Sequence, residues 1–315
     1  MNASGEAVRA FAPAGVGNIG VGFDLLGHSI DGPRDVARVR RIEAPTVRIR
    51  SISGDVAGIG TLPLDPSRNT AGQALLSLRA LTGCAFGFEL ELDKGIPIGA
   101  GLGGSAASCV AALVAANALL DAPLAREALY PCAIDGEAVS SHSRQGDNVA
   151  PMLLGGVVLA TAERMLPLPA PDWLHCVVVH PDQVLETRRA REVLSEPYPL
   201  PLVVRHCAHL ALFLTGLQRA DPELLRAGLR DLLVEPRRAP LVPGFAAVRA
   251  AALDLGALGA SLSGAGPSMF AWFGSKIAAE AAAPAMRSAF ADAGFGSRSW
   301  VSAVAGPRAG LLDAH

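Results

Sequence analysis

The chain has 315 residues, half of them hydrophobic and 18% charged, with a formal net charge of −2. That balance excludes a disordered polypeptide and removes the electrostatic case for a nucleic-acid binder. Only two lysines occur, Lys94 and Lys276, so a phosphate site would have to draw on backbone amides, arginines or a metal ion.

In chain order, alternation of apolar and polar residues predicts strands over 8–11 and 46–52. Helical spacing follows over 69–81, where Asn69 by its position alone reads as an N-cap and Gly83 follows the last turn. Residues 87–92 (G-F-E-L-E-L) alternate as a strand with one solvated face. A glycine-rich loop comes next, and a helix runs from about 105 to 120 with Ser105 suited to cap it. Residues 124–140 have helical spacing, and 153–160 read as a buried strand. The Pro-rich segment 166–171 marks a domain boundary, dividing 1–168 from 169–315. Beyond it, a strand is predicted over 175–180. Helices are predicted over 188–194, 205–218, 222–233 and 246–255. A second glycine-rich turn within 260–273 leads into a strand from Ser268. An alanine-rich helix follows over 277–293, with Pro284 as a kink or restart, and a closing strand over 300–305. Helices do not follow each strand regularly, so the class is α+β with two layered domains rather than a doubly wound sheet.

No uninterrupted apolar run approaches the ~20 residues of a membrane helix. Arg9 and the glycines from Gly15 onward break any secretory leader. Five cysteines, odd in number and far apart, form no C-x-x-C pair, which reads as reduced thiols in a cytoplasmic protein rather than a metal cage or disulfide framework. His206 and His209 have a spacing that can bind zinc, but no third ligand accompanies them.

The main chemical signal is Ile96-Pro97-Ile98-Gly99-Ala100-Gly101-Leu102-Gly103-Gly104-Ser105-Ala106-Ala107-Ser108. Glycines let backbone N–H groups turn toward a ligand. A helix start adds free donors and the positive end of a dipole. Gly99, Gly101 and Gly104 match the dinucleotide spacing G-x-G-x-x-G, but the following helix leads to another helix rather than to a second parallel strand ending in an acid. The dipeptide Gly-Lys of the other common phosphate loop is absent.

Two further segments frame this loop. One runs from Ala12 to Gly27 (A-P-A-G-V-G-N-I-G-V-G-F-D-L-L-G), the other from Gly259 to Ser268 (G-A-S-L-S-G-A-G-P-S). In this order the three segments resemble the three motifs of the GHMP kinases, the superfamily of galactokinase, homoserine kinase and mevalonate kinase. Within it the chain is most similar to the homoserine kinase family. That similarity is carried by Asn18 with Gly-Phe-Asp24, by Asp147-Asn148-Val149-Ala150-Pro151 with Leu154-Gly155-Gly156, by Thr187 with Ala190-Arg191, and by Glu235-Pro236-x-Arg238 with Leu241-x-Pro243-Gly244-Phe245. One position departs: where the family usually carries two serines after G-L-G, the first is Gly104 here.

The resemblance implies a two-domain fold, with an N-terminal half like ribosomal protein S5 domain two, a ferredoxin-like C-terminal half and the active site between them. It implies ATP-dependent phosphorylation of the L-homoserine hydroxyl, in threonine biosynthesis. ATP would be held by Asn69 on the adenine side and by Pro97, Ile98, Gly99, Ala100, Gly101, Leu102, Gly103, Gly104, Ser105, Ala106 and Ser108. Mg2+ would be held by Ser105 and Glu137. Homoserine needs partners for an ammonium, a carboxylate and a hydroxyl. Arg191 and Arg238 match the carboxylate positions, since arginine binds carboxylates bidentately. Asp24 and Asp147 are the candidates for the ammonium, Asn18 and Asn148 for the hydroxyl. His142 and Gly264 are further substrate contacts, and Thr187 is placed near the transferred phosphoryl. Asn18, Asp24, Asp147 and Thr187 make up the catalytic set. Sister kinases place a catalytic aspartate near Asp147, whereas homoserine kinases do without a dedicated base, so base catalysis by Asp147 stays open. Partners beyond ATP and L-homoserine are not expected from nucleic acid or membrane, and a homodimer is left open. The rival readings are a GHMP-type kinase of mevalonate, a sugar or an isoprenoid intermediate, and a non-catalytic sensor on the same fold. A sensor would have lost Ser105, Glu137 or Asp24, and all three are present.

Overall fold

The computed structural model describes residues 7–141 and 143–313. The first half is built from strands Ala7–Gly17 (β1), Leu26–Ile42 (β2) and Val47–Ser53 (β3), helix Thr70–Thr82 (α1), strand Gly87–Asp93 (β4) and helices Gly104–Ala118 (α2), Tyr130–Ser141 (α3) and Val149–Leu154 (α4). Strands Val157–Ala160 (β5) and Met165–Leu168 (β6) form a hairpin that ends it. The second half opens with strand His175–Pro181 (β7) and helices Thr187–Glu192 (α5), Leu200–Arg219 (α6), Pro222–Gly228 (α7), Glu235–Arg238 (α8) and Phe245–Asp254 (α9). Strands Gly259–Leu262 (β8) and Met269–Phe273 (β9), helix Lys276–Asp292 (α10) and strands Ser297–Ala303 (β10) and Gly310–Leu312 (β11) complete it.

Two sheets result. The first runs β11-β1-β2-β4-β3, with β5 beside β2 and β6 beside β5. The second runs β10-β7-β9-β8, antiparallel throughout. That order is the ferredoxin-like arrangement that the resemblance implied. The C-terminal strand β11 leaves the second half and pairs antiparallel with β1, so the chain's last strand belongs to the first sheet.

Helix α2 is the centre of the first half. Every residue from Ala106 to Ala116 is buried, and a helix apolar on all sides must be covered on all sides. Its alanines let β1, β2, α1 and α3 approach closely. The two sheets meet through a buried polar contact. Trp272 Nε1 on β9 donates to His28 Nε2 on β2 at 3.3 Å, and both residues are fully buried. Burial pushes the His28 pKa down to about 4, so the ring is neutral and its Nδ1 donates to Ser29 O at 3.0 Å.

Several elements differ from expectation. β2 had no counterpart in the periodicity, because Gly32-Pro33 interrupts its pattern. The β1–β2 register shifts at that point, between the pairs Pro13–Arg34 and Gly15–Ser29, and a bulge is where a strand tolerates a proline. Residues 149–154 are helical, so the buried strand expected from 153 begins only at Val157. Ser105 does not cap α2: the N-cap position is Gly103, in the left-handed region with φ 69°. Residues 166–168 of the Pro-rich break lie in β6. The helix from 222 ends at Gly228, and α10 runs through Pro284 as one element. Helix α6, with a mean hydropathy of 1.5, is long and apolar enough to cross a membrane by length and composition. Here it packs on α7, and its buried Phe213 lies 5.5 Å from the Trp272 ring.

Candidate active site

All three motifs line one cavity of about 720 Å3 between the two halves. The glycine-rich loop forms one wall. Gly99, Gly101 and Gly103 all have φ near +70°, a region that costs other residues energy. Space excludes side chains as well: a Cβ on Gly101 would lie 2.4 Å from Ser263 O, and one on Gly103 2.8 Å from Asn148 Oδ1. The third motif therefore presses directly on the loop. Ser263 Oγ donates to Gly101 O at 2.7 Å and Ser268 N–H to Ala100 O at 3.2 Å.

The loop delivers the N-terminus of α2 to the cavity. Its first intrahelical bond runs from Ala107 N–H to Gly103 O, which leaves the preceding amides available to an anion. Gly104 and Ser105 line the cavity. Ser105 Oγ donates to Glu137 Oε1 at 2.9 Å, which brings the two expected metal ligands together. Burial pushes the Glu137 pKa up to about 7 despite the Ser105 hydrogen bond. A hydroxyl and a carboxylate are hard oxygen donors suited to Mg2+, and a dication there would offset the burial of the carboxylate. Among the described residues no cluster of three or more His, Cys, Asp or Glu could hold a metal alone. These two oxygens therefore fit an ion that takes its remaining ligands from phosphate and water.

Asn69 lines the cavity, but its polar atoms are engaged. Its Oδ1 caps α1 through Ala71 and Gly72, and its Nδ2 donates to Pro63 O. Pro97, Ile98, Gly99 and Ala100 line the same wall, as does Ser108. Leu102 and Ala106 point into the core instead, so any contribution from them is made by the main chain.

The first motif forms the opposite side, in strained backbone. Asn18, Ile19 and Asp24 have φ of 69°, 43° and 58°, values that are rare outside glycine and concentrate at functional sites. Asn18 Oδ1 accepts from Asp24 N–H at 2.9 Å, and its Nδ2 donates to Gly264 O at 2.9 Å. Arg191, on α5, makes a two-bond ion pair with Asp24. Arg238 is buried, donating to Ala190 O at 2.9 Å and Gly264 O at 3.2 Å. Burial brings its pKa down to about 10, with Arg191 adding to the effect. Both guanidinium groups lie over the Phe23 ring, at 5.7 and 5.1 Å.

Asp147 closes the group. It is buried, and Asn148 Nδ2 approaches its Oδ2 at 3.2 Å. Burial, and then the charge of Asp24, push its pKa up to about 7. The cavity thus gathers Asn18, Asp24, Asp147, Asn148, Arg191, Arg238 and Gly264. Thr187 is the first residue of α5, and its side chain is outside the described set. His142 lies outside the described residues. Two residues that motif reading passed over stand under the loop: Lys94, which lines the cavity, and Asp35, fully buried beside it. The signal for Lys94 is its place in the sequence, one of two lysines and two positions before the loop.

A helix N-terminus approached through a glycine loop, a hydroxyl–carboxylate pair beside it and a facing cluster of acids and arginines define a small-molecule phosphotransferase of the GHMP type. Family models agree: GHMP kinases N terminal domain matches residues 69–156 and GHMP kinases C terminal matches 213–292. A homoserine kinase of Xylella fastidiosa is 60% identical over 304 residues, covering 96% of this chain and 94% of that protein. One from Chlorobium phaeobacteroides is 42% identical, over 95% and 97%. The crystal structure of homoserine kinase from Cytophaga hutchinsonii superposes with a TM-score of 0.93 at 37% identity, covering 99% of each chain. The chain belongs to the homoserine kinase family of the GHMP kinases.

Proposed function

We propose that the chain transfers the γ-phosphoryl group of ATP to the side-chain hydroxyl of L-homoserine, giving O-phospho-L-homoserine and ADP, as a step toward threonine in the cytoplasm. The observation that carries this is the meeting in one cavity of an anion-binding helix N-terminus with two arginines and two aspartates.

Phosphoryl transfer asks a protein mainly to position the reactants and to neutralise charge. The Gly99–Gly103 backbone and the first turn of α2 take the β- and γ-phosphates. Ser105 and Glu137 would hold Mg2+, which when bound neutralises phosphate charge. Arg191 and Arg238 take the substrate carboxylate, and Asp24 and Asp147 its ammonium. Asn18 and Asn148 orient the hydroxyl toward the γ-phosphorus. The new O–P bond forms as the bond to the β–γ bridging oxygen breaks, and ADP leaves with that electron pair. Asp147, whose pKa burial raises to about 7 in the ligand-free site, takes up its negative charge as the substrate ammonium binds beside it. Gly264 supports the site through its carbonyl, which accepts from both Asn18 and Arg238.

The test is ADP release by the purified protein over a panel of alcohols. Turnover is expected with L-homoserine, with mevalonate and galactose inactive at the same concentration. No turnover with millimolar L-homoserine would overturn the substrate assignment.

A further inference from the structure

A buried ion pair lies beneath the glycine-rich loop, and the chemistry described above does not use it. Asp35 on β2 is fully buried, and Lys94, directly after β4, is 5% exposed. The lysine ammonium pairs with Asp35 Oδ2. It also donates to Gly104 O at 2.7 Å and Ser108 Oγ at 2.9 Å. The other carboxylate oxygen, Oδ1, accepts from the N–H groups of Gly95 and Ile96, each at 3.1 Å. Gly95 and Ile96 form the entry to the loop, and Gly104 opens α2 at its exit. One ion pair therefore ties down both ends of the loop.

An ammonium has three N–H donors, and Lys94 uses all three inside the protein. It lines the cavity but has no proton left for a phosphate oxygen. Its charge reaches the site by another route. Gly104 O belongs to the peptide unit whose N–H is that of Ser105. A cation on that oxygen polarises the unit and strengthens the N–H as a donor. Ser105 N–H precedes the first intrahelical bond of α2, so it is one of the donors the helix offers to an anion.

We propose that Lys94 and Asp35 are positioning residues for ATP: their ion pair fixes both ends of the phosphate loop and polarises the Gly104–Ser105 peptide, and neither side chain touches the nucleotide. This deepens the proposed reaction and rests on the loop being its ATP site.

The test is calorimetric titration of ATP and ADP, without homoserine, into wild type, Lys94→Met and Asp35→Asn. The two variants remove opposite charges from the same place. A positioning role predicts that both weaken nucleotide binding tenfold or more, while the KM for L-homoserine at saturating ATP stays within twofold. If Lys94 instead acts directly on the phosphates, Asp35→Asn leaves its ammonium unneutralised and binding tightens or holds steady, which overturns the proposal. Should Asp35→Asn not fold, amide hydrogen exchange of Lys94→Met decides. Loss of protection across residues 95–108 supports the proposal, and unchanged protection with weakened binding overturns it. A wild-type protein that binds no ATP would instead overturn the kinase reading itself.

Discussion

Arg191 and Asp24 form an ion pair through two parallel hydrogen bonds, both 3.1 Å, that joins helix α5 of the second half to the strained first motif. Each of these residues is assigned one charge of the substrate, and in the structure each neutralises the other. A zwitterion can replace the pair, giving its carboxylate to the arginine and its ammonium to the aspartate. A ligand with one charge leaves a partner exposed.

Asp24→Asn should therefore act in two directions. The KM for L-homoserine is expected to rise ~10- to 100-fold, the scale of a lost charge-assisted hydrogen bond. 4-Hydroxybutyrate, which lacks the ammonium, should inhibit the variant several-fold better than the wild type, because Arg191 is released. Initial-rate kinetics with both ligands check this, and unchanged inhibition by 4-hydroxybutyrate would rule it out.

Asp147 carries a pH signature. Its pKa rises from 3.8 to about 7 on folding, so between those values the native state holds a proton that the unfolded chain has lost. Stability from this group therefore falls as pH rises through that window. Asp147→Asn removes the penalty, and at pH 8 it should stabilise the ligand-free protein by roughly 4 kcal/mol, with little gain at pH 4. Denaturant titration at the two pH values measures the difference. In the same variant, a loss of turnover of ~10²–10⁴-fold indicates a general base, whereas a few-fold loss with a much higher KM indicates substrate binding alone.

Glu137 and Ser105 share one hydrogen bond of 2.9 Å and are assigned one metal. Glu137→Gln should raise the Mg2+ concentration for half-maximal rate at least tenfold and leave the KM for L-homoserine within twofold. A Mg2+ titration at fixed ATP distinguishes this from a general loss of folding, which would lower the rate at every Mg2+ concentration.

The legible parts of the sequence were those encoded locally. Glycines 99, 101 and 103 are needed both for their φ values and for the space around them, and such needs leave a visible motif. The buried helix α2 was legible because its apolar run has no polar side. β2 was not, since Gly32-Pro33 reads as a turn until β1 supplies the bulge that accommodates it. The six-residue α4 was read partly as strand because a short apolar run fits either periodicity. The Lys94–Asp35 pair joins positions 59 residues apart, and no spacing rule connects them. The assignment of charges to Asp24, Asp147, Arg191 and Arg238 came from resemblance, since each alone is an ordinary surface or capping residue type.

The most direct measurement is identification of the product. Incubation with ATP, Mg2+ and L-homoserine, followed by phosphorus NMR and mass spectrometry, should show one ADP and one phosphate monoester on the homoserine side-chain oxygen for each turnover. ADP formed with free phosphate and unmodified homoserine, or with no dependence on homoserine, would contradict the account.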